Sequence, residues 1–153
     1  MVEEASPQVA GDEVSTALTS AVAADVMVRV PKVHGPGLTV RECRAVFVDD
    51  HVHMVLLVDE GRLLGTLVRG DLPPEVPGPD AALPHARLAG RTVAPTTPAV
   101  AVRDEMVAAG ARRWAVVDNE GNLLGLLCLK HDLAGFCSDA DVAGRAADRD
   151  CSA

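Results

Sequence analysis

The sequence is poor in aromatic side chains, with one Trp, two Phe and no Tyr among 153 residues. Apolar residues nonetheless make up 48% of the chain, so we expect a core filled by aliphatic side chains, mostly Val, Leu and Ala. Long apolar runs are also missing, and none reaches the roughly 18 residues that a membrane-spanning helix needs. The composition therefore predicts one compact domain, or two half-domains with a shared core, and no insertion into a membrane.

Basic residues are few relative to acidic ones: 14 Lys and Arg stand against 22 Asp and Glu, which gives a net charge of −8. Binding to nucleic acids or to anionic membranes requires a basic surface, so the charge argues against both kinds of partner. The chain begins with Met-Val-Glu-Glu, which is acidic where a secretory signal would be basic. We therefore expect a cytoplasmic location.

Cysteines are sparse and widely spaced, with no Cys-x-x-Cys pair that would indicate a zinc site or a disulfide framework. The four positions are Cys43, Cys128, Cys137 and Cys151. We expect reduced thiols, with Cys43 and Cys128 buried as small apolar residues. His51 and His53 lie two residues apart, but no third ligand is near them in the sequence, so no metal site is predicted.

Catalytic signatures are absent from the sequence as well. It shows no nucleophile beside a base and no paired catalytic carboxylates in a recognisable context. The glycines at 61 and 65 are not followed by the Lys-Ser/Thr of a P-loop. His131 beside Asp132 is a weak hint of acid–base chemistry. The sequence therefore predicts a protein that is not an enzyme.

One stretch of the sequence occurs twice. Residues 59–72 contain Gly-Arg-Leu-Leu-Gly and end on Asp71-Leu, and residues 118–133 contain Gly-Asn-Leu-Leu-Gly and end on Asp132-Leu. A repeat at this period indicates two copies of one supersecondary unit, each too small to bury its own apolar face. We therefore expect the two copies to pack on each other.

Each copy is predicted to run strand, helix, strand, turn, strand, helix. Ahead of the first copy we expect a helix over 14–27, with Ser15 as its N-cap. An edge strand follows at 28–33, then a helix from a Thr39–Glu42 capping box to about Asp50. Residues 54–58 and 62–68 read as a hairpin in which Gly65 allows a close backbone approach.

The second copy follows a segment rich in proline. Its predicted elements are a strand at 91–97, a helix at 102–110 that glycine ends, a hairpin at 114–117 and 123–129, and a short helix at 130–136. The chain is thus divided into a flexible start (1–13), a first repeat with its helix (14–72), a linker (73–87), a second repeat (88–136) and a tail (137–153) that is either a weak helix or disordered.

The repeat resembles the CBS domain, a tandem pair of which forms a Bateman module. The resemblance rests on residues 57–72, on Ala-Asp-Val-Met at 24–27 and on Arg-Arg-Trp-Ala-Val-Val-Asp at 112–118. It implies an α+β fold of two β-α-β-β-α repeats related by pseudo-twofold symmetry. It also implies a homodimer, and regulatory binding of an adenosine-containing ligand in a cleft between the repeats.

The same resemblance implies candidate ligand-binding residues. In the family, the residue three after the strand glycine is often a hydroxyl that contacts phosphate, and the Asp six after it holds the ribose. Counting from Gly65, these positions are Val68 and Asp71; counting from Gly125, they are Cys128 and Asp132, which falls one residue late. The candidate phosphate-binding cations are Arg69, Arg113 and Lys130. Asp71 can equally cap the short helix that follows its strand, and Trp114 is expected to pack in the core rather than to stack on a base.

These observations predict a stand-alone regulatory module that binds AMP, ADP, ATP or S-adenosylmethionine and signals in trans to an unknown protein target. No other cofactor is expected. The alternative is a structural adaptor that has lost nucleotide binding, which Val68 and the displaced Asp132 favour. If a ligand binds, the regular spacing of Asp71 predicts one ligand per chain, bound mainly through Asp71 and much less through Asp132.

Overall fold

The computed structural model describes residues 20–130, 132–133 and 135–137. The helices are α1 (Ala23–Val26), α2 (Val40–Val46) and α3 (Ala99–Ala109), with single 3₁₀ turns at Arg69–Asp71 and Leu83–His85. The strands are β1 (Val55–Asp59), β2 (Arg62–Leu67), β3 (Thr92–Val93), β4 (Arg113–Val117) and β5 (Leu123–Cys128). We call α2, β1 and β2 the first unit, and α3 with β3, β4 and β5 the second unit.

Helix α2 begins at the predicted capping box. The Thr39 hydroxyl accepts a hydrogen bond from the N–H of Glu42 (3.1 Å), and the Glu42 carboxylate accepts one from the N–H of Thr39 (2.9 Å). Both orphan donors of the first turn are thereby satisfied. The helix ends at Val46 rather than near Asp50, and its inner face buries Val40 and Cys43 completely.

Each unit contains one antiparallel hairpin. The turn between β1 and β2 has positive φ at Glu60 (52°) and Gly61 (82°), which matches the twist of a two-residue hairpin loop. Strands β4 and β5 are paired in the same way, and both hairpins shift register just before their turn. The turns meet reciprocally: the N–H of Leu63 donates to the carbonyl of Gly121, and the N–H of Leu123 donates to that of Gly61, both at 2.9 Å. This reciprocity is the local form of the predicted pseudo-twofold symmetry.

The segments that precede the two units are exchanged between them. Val28, ahead of the first unit, forms a bridge with Leu126 of β5, with backbone hydrogen bonds of 2.8 and 2.9 Å. Arg87, ahead of the second unit, forms the equivalent bridge with Thr66 of β2, with hydrogen bonds of 2.8 and 2.9 Å. Each unit therefore completes the other one.

The edge strand predicted at 28–33 is wrong, because this segment also takes part in the exchange between the units. In its place the chain makes two isolated bridges, from Val28 to the second unit and from His34 to Leu57 of the first unit. Because Pro31 has no N–H to give to a ladder and the two ends of the segment pair with different units, no continuous strand forms between them.

The helices predicted at the two ends also differ from the structure. Of the predicted helix 14–27, residues 14–19 lie outside the described residues, Ser15 among them, and Ser20 is helical. The helix is interrupted at Val22, which is extended and bridges to Pro98, and α1 then covers Ala23–Val26. The predicted helix 130–136 is wrong: the N–H of Lys130 donates to the carbonyl of Gly135 (2.8 Å), and Leu129 bridges to Phe136 as in a tight turn. The tail beyond residue 137 lies outside the described residues.

The proline-rich segment at 73–87 packs onto the first unit. Ala82 is fully buried, and its N–H donates to the carbonyl of Leu38 (2.9 Å). The guanidinium of Arg44 donates to the carbonyl of Pro73 (2.9 Å). These contacts bring Arg87 and the residues after it to the junction of the two units.

The apolar core has three parts. One lies in the first unit around α2, one lies in the second unit around α3, and a central one contains side chains from both units, among them Leu56, Leu63, Ala115 and Leu126. The expected packing of the copies on each other is therefore present. Among the described residues no helix is long and apolar enough to span a bilayer.

The cysteines only partly match the expectation. Cys43 and Cys128 are free and fully buried, as predicted. Cys137, in contrast, is disulfide-bonded, so the expectation of reduced thiols throughout is wrong. The wide spacing of the cysteines did not indicate this bond.

Gly65 provides a test of the exchange. A Cβ added there would lie 2.5 Å from the Cβ of Ala86, in the segment that leads into the second unit. We expect Gly65→Ala to lower the free energy of unfolding by about 1–3 kcal/mol, the usual cost of overpacking a core. Urea denaturation would measure this change.

The matched control is Gly70→Ala, since a Cβ at Gly70 meets nothing within 4 Å. Its effect should stay within about 1 kcal/mol of zero. Equal losses of stability in the two variants would contradict the close approach at Gly65.

Candidate ligand-binding cleft

A cleft of about 410 Å³ opens between the two units. The first unit and its flanks contribute His53, Met54, Val68, Arg69 and Gly70; the residues from the second half are Gly90, Arg91 and the run 109–114. Gly90 and Arg91 reach the cleft because the exchanged segment passes along its edge. The cleft therefore exists only where the two halves meet.

The lining of this cleft is strongly basic although the chain is acidic overall. Four arginines meet there: Arg69, Arg91, Arg112 and Arg113. Among the described residues that line it, none is an Asp or a Glu. Cations gathered between low-dielectric walls focus a positive potential, so this lining suits an anionic ligand although the chain has a net charge of −8.

Arg69 is held in place by the loop that follows α2. Its Nη2 donates to the carbonyl oxygens of Phe47 (2.6 Å) and Asp49 (3.0 Å), and its guanidinium carbon lies 5.1 Å from the centre of the Phe47 ring. Together the hydrogen bonds and the cation–π contact restrict this long side chain. Arg69 is thus presented to the cleft with much of its rotamer entropy already lost.

Arg112 and Arg113 are fixed from the second unit. The Nη2 of Arg112 donates to the carbonyl of Leu129 (3.1 Å), and the Nη1 of Arg113 donates to the carbonyl of Arg112 (3.0 Å). Arg113 is only 2% exposed, and this burial lowers the pKa of its guanidinium. The group still remains charged near neutral pH, because an arginine starts from a very high pKa.

Asp71 lies behind the cleft and is bound to Arg91. Its Oδ2 accepts hydrogen bonds from the Nη1 of Arg91 (2.6 Å) and from the N–H of Val68 (2.8 Å), and its Oδ1 accepts one from the Nη2 of Arg91 (3.0 Å). Burial acts to raise the pKa of Asp71, but the hydrogen bonds from Arg91 and Val68 outweigh it and hold that pKa below its usual value. Asp71 therefore caps the 3₁₀ turn and bridges the two units.

The pKa of His53 is lowered by burial and by the arginines of the cleft. Burial, and then the charges of Arg113, Arg112 and Arg69, lower its pKa from 6.5 to about 4. The imidazole is accordingly neutral at pH 7, and it adds a hydrogen-bonding group without adding charge. Among the described residues no group of three His, Cys, Asp or Glu side chains is placed to hold a metal ion.

The cleft brings together only part of the predicted site. Val68, Arg69 and Arg113 line it; the predicted residues that do not line it are Gly65, Asp71, Cys128, Lys130 and Asp132. Gly65 faces Ala86, and Cys128 is buried in the central core. Lys130 and the exposed Asp132 lie in the turn after β5.

Among the polar side chains that line the cleft, three were not predicted as ligand-binding residues: His53, Arg91 and Arg112. Arg112 stood within a motif that carried the family resemblance, so its position was visible although its role was not. His53 was weighed only with His51 as a metal site, and no local pattern pointed to Arg91. Both residues reach the cleft through the pairing of distant segments.

Comparison with known proteins supports the fold. The CBS domain family matches residues 90–131, and no curated protein matches the chain. A CBS domain pair/ACT domain protein from Thermotoga maritima is 18% identical, with a TM-score of 0.60 over 73% of this chain and 92% of that one. CBSX2 in complex with AMP is 19% identical, with a TM-score of 0.60 over 75% and 93%. The cytosolic domain of the Mg²⁺ channel MgtE with ATP is 25% identical, with a TM-score of 0.57 over 71% and 46%.

The α+β fold predicted from the repeat is therefore that of a CBS domain pair. The chain contains a CBS domain at residues 90–131, and its first half carries a matching helix and hairpin. The resemblance to tandem CBS domains is confirmed.

The depressed pKa of His53 predicts a pH dependence of stability. The folded pKa is about 4 and the ordinary value is 6.5, so between these values the unfolded chain binds more protons than the folded one. This contribution to stability is complete above pH 6.5 and is lost as the pH falls toward about 4. We expect His53→Gln to lose less stability than the wild type between pH 7 and about 4.5. Urea unfolding at the two pH values would measure this, and equal acid sensitivity would contradict the assignment.

Proposed function

We propose that this chain is a regulatory module that binds an adenine nucleotide in the cleft between its two halves and signals in trans to another protein. The observation that carries the proposal is the meeting of four arginines at one cleft, with no carboxylate among the described residues that line it. Guanidinium groups match phosphate oxygens in both charge and geometry. A phosphorylated ligand is therefore the class that fits best.

Proteins of the same fold support the proposal that the ligand is a nucleotide. CBSX2 is described in complex with AMP, and the cytosolic domain of MgtE in complex with ATP. Their likeness to this chain supports the use of the cleft for a ligand of that class.

The charge of the cleft also separates the ligands that the resemblance implied. S-adenosylmethionine has a net positive charge from its sulfonium and ammonium groups, which the arginines would repel, and it brings one carboxylate but no phosphate to bind them. AMP, ADP and ATP bring negative charges that the arginines neutralise. We therefore propose the phosphorylated members of that set.

Trp114 provides a spectroscopic reporter for binding. It is the only tryptophan of the chain, it lines the cleft, and it packs partly buried against the core of the second unit. Trp114 thus packs against the core, as expected, and also borders the cleft. A ligand in the cleft should change its fluorescence.

The alternative function is an adaptor that binds no nucleotide. Two observations favour it: Val68 lines the cleft where the family often has a hydroxyl, and both oxygens of Asp71 are taken by Arg91. The ribose role predicted for Asp71 stays a prediction, and it requires Arg91 to move away. The four arginines outweigh these observations because they offer phosphate more donors than one hydroxyl would.

Thermal-shift measurements with AMP, ADP, ATP and S-adenosylmethionine test the proposal. A ligand at a hundred times its dissociation constant adds about 2.7 kcal/mol of stability, which gives a clear rise in the unfolding temperature. We expect this rise with at least one phosphorylated ligand and none with S-adenosylmethionine. No rise with any of the four would favour the adaptor.

The variant Arg112→Gln tests the role of the arginines. It should weaken nucleotide binding by about 1.5–3 kcal/mol, the range for hydrogen bonds to a charged group, and Trp114 fluorescence titration would measure it. The control is Arg103→Gln, because Arg103 lies on α3, outside the cleft lining, and pairs with its neighbour Asp104. Equal affinities for wild type and Arg112→Gln would remove Arg112 from the site.

We also propose that the chain forms a homodimer through its exposed apolar side chains. Val107 on α3 is 44% exposed, and Val48 beyond α2 is 80% exposed. Burying such groups between two copies would remove apolar surface from water. Light scattering at tens of micromolar should give twice the mass of the chain, and the mass of a single chain would contradict the proposal.

A further inference from the structure

The carboxylate that the resemblance assigns to ribose is already occupied by the chain itself. Arg91 binds both oxygens of Asp71 in a bidentate pair, with distances of 2.6 and 3.0 Å. The N–H of Val68 takes a further acceptor position (2.8 Å), and the Nε of Arg87 lies 3.9 Å from Oδ1. Since a carboxylate offers about four acceptor positions, little capacity remains for two ribose hydroxyls.

The geometry also places Arg91 between Asp71 and the cleft. Arg91 lines the cleft, whereas Asp71 does not, and the side chain of Asp71 is only 6% exposed. A ligand entering the cleft therefore meets a guanidinium where the resemblance predicts a carboxylate. The polarity of this position is reversed from hydrogen-bond acceptor to donor.

Arg91 is anchored at both ends. Its carbonyl accepts a hydrogen bond from the N–H of Ala115 (2.9 Å) in β4, and its Nη1 also approaches the carbonyl of Thr66 (3.3 Å) in β2. The side chain is 16% exposed. Separating the pair would leave a nearly buried carboxylate without its main partner, which is strongly unfavourable.

We infer that the cleft recognises its nucleotide through the phosphates and not through the ribose hydroxyls, and that Arg91 is the specificity-determining residue. This inference rests on the proposed function and specifies which part of the nucleotide the protein recognises. It replaces the direct role predicted for Asp71 with a positioning role, in which Asp71 orients Arg91. A nucleotide that lacks ribose hydroxyls should then bind as well as one that has them.

The test compares ATP, 2′,3′-dideoxy-ATP and adenosine on the wild-type protein, with Trp114 fluorescence and calorimetry as readouts. We expect the two triphosphates to bind within about twofold of each other, and adenosine to bind at least about a hundredfold more weakly. If dideoxy-ATP binds about tenfold or more weakly than ATP, the inference is overturned while the proposed function stands. If neither triphosphate binds, both the proposed function and this inference are wrong.

The variant Arg91→Met tests the residue itself, since Met retains an apolar stem and frees the carboxylate of Asp71. We expect this variant to bind ATP more weakly than the wild type does, and to prefer ATP over dideoxy-ATP by about tenfold. Arg103→Met is the matched control, because Arg103 lies on α3, outside the cleft lining, and pairs with Asp104 rather than with Asp71; it should behave like the wild type. An Arg91→Met variant that folds and shows no preference would remove Arg91 as the determinant. The wild-type series decides the ribose question even if that variant does not fold.

Discussion

The reciprocal exchange of backbone hydrogen bonds between the two halves is the constraint on which the rest of the structure depends. Val28 pairs with Leu126 and Arg87 pairs with Thr66, so each half supplies a segment that the other lacks. The strand glycines follow from this exchange: at Gly65 and Gly125 a side chain would collide with the incoming segment, at Ala86 and at Met27. The same exchange carries the chain from Arg87 to Arg91, and so brings a cation from the second half to the edge of the cleft.

The sequence predicted the parts of the fold that are encoded locally. The Thr39–Glu42 capping box, the hairpin turn at Gly61 and the glycine that ends α3 all appear as expected, because each depends on residues within a few positions of one another. The predicted strand at 28–33 failed because its two ends pair with different halves, a fact that no local periodicity contains.

The cleft was predictable only in part, and the reason is the distance along the chain between its members. Arg69 and Arg113 were candidates because motifs of the repeat contain or adjoin them, and both reach the cleft. The ion pair between Asp71 and Arg91 joins residues of different halves. No motif around either residue indicates that the two side chains meet. A family motif can place a carboxylate correctly without revealing that another residue of the same chain has already bound it.

The two exchanged bridges occupy equivalent positions in the fold but close loops of very different length. The bridge from Thr66 to Arg87 closes a loop of 21 residues (87 − 66), and the bridge from Val28 to Leu126 closes one of 98 (126 − 28). By the logarithmic cost of closing a flexible loop, the longer one is less favourable by about 1.4 kcal/mol. Contacts of high sequence separation also form slowly. A fold that is symmetric when finished is therefore expected to assemble asymmetrically, with the first half closing early and Val28 docking last.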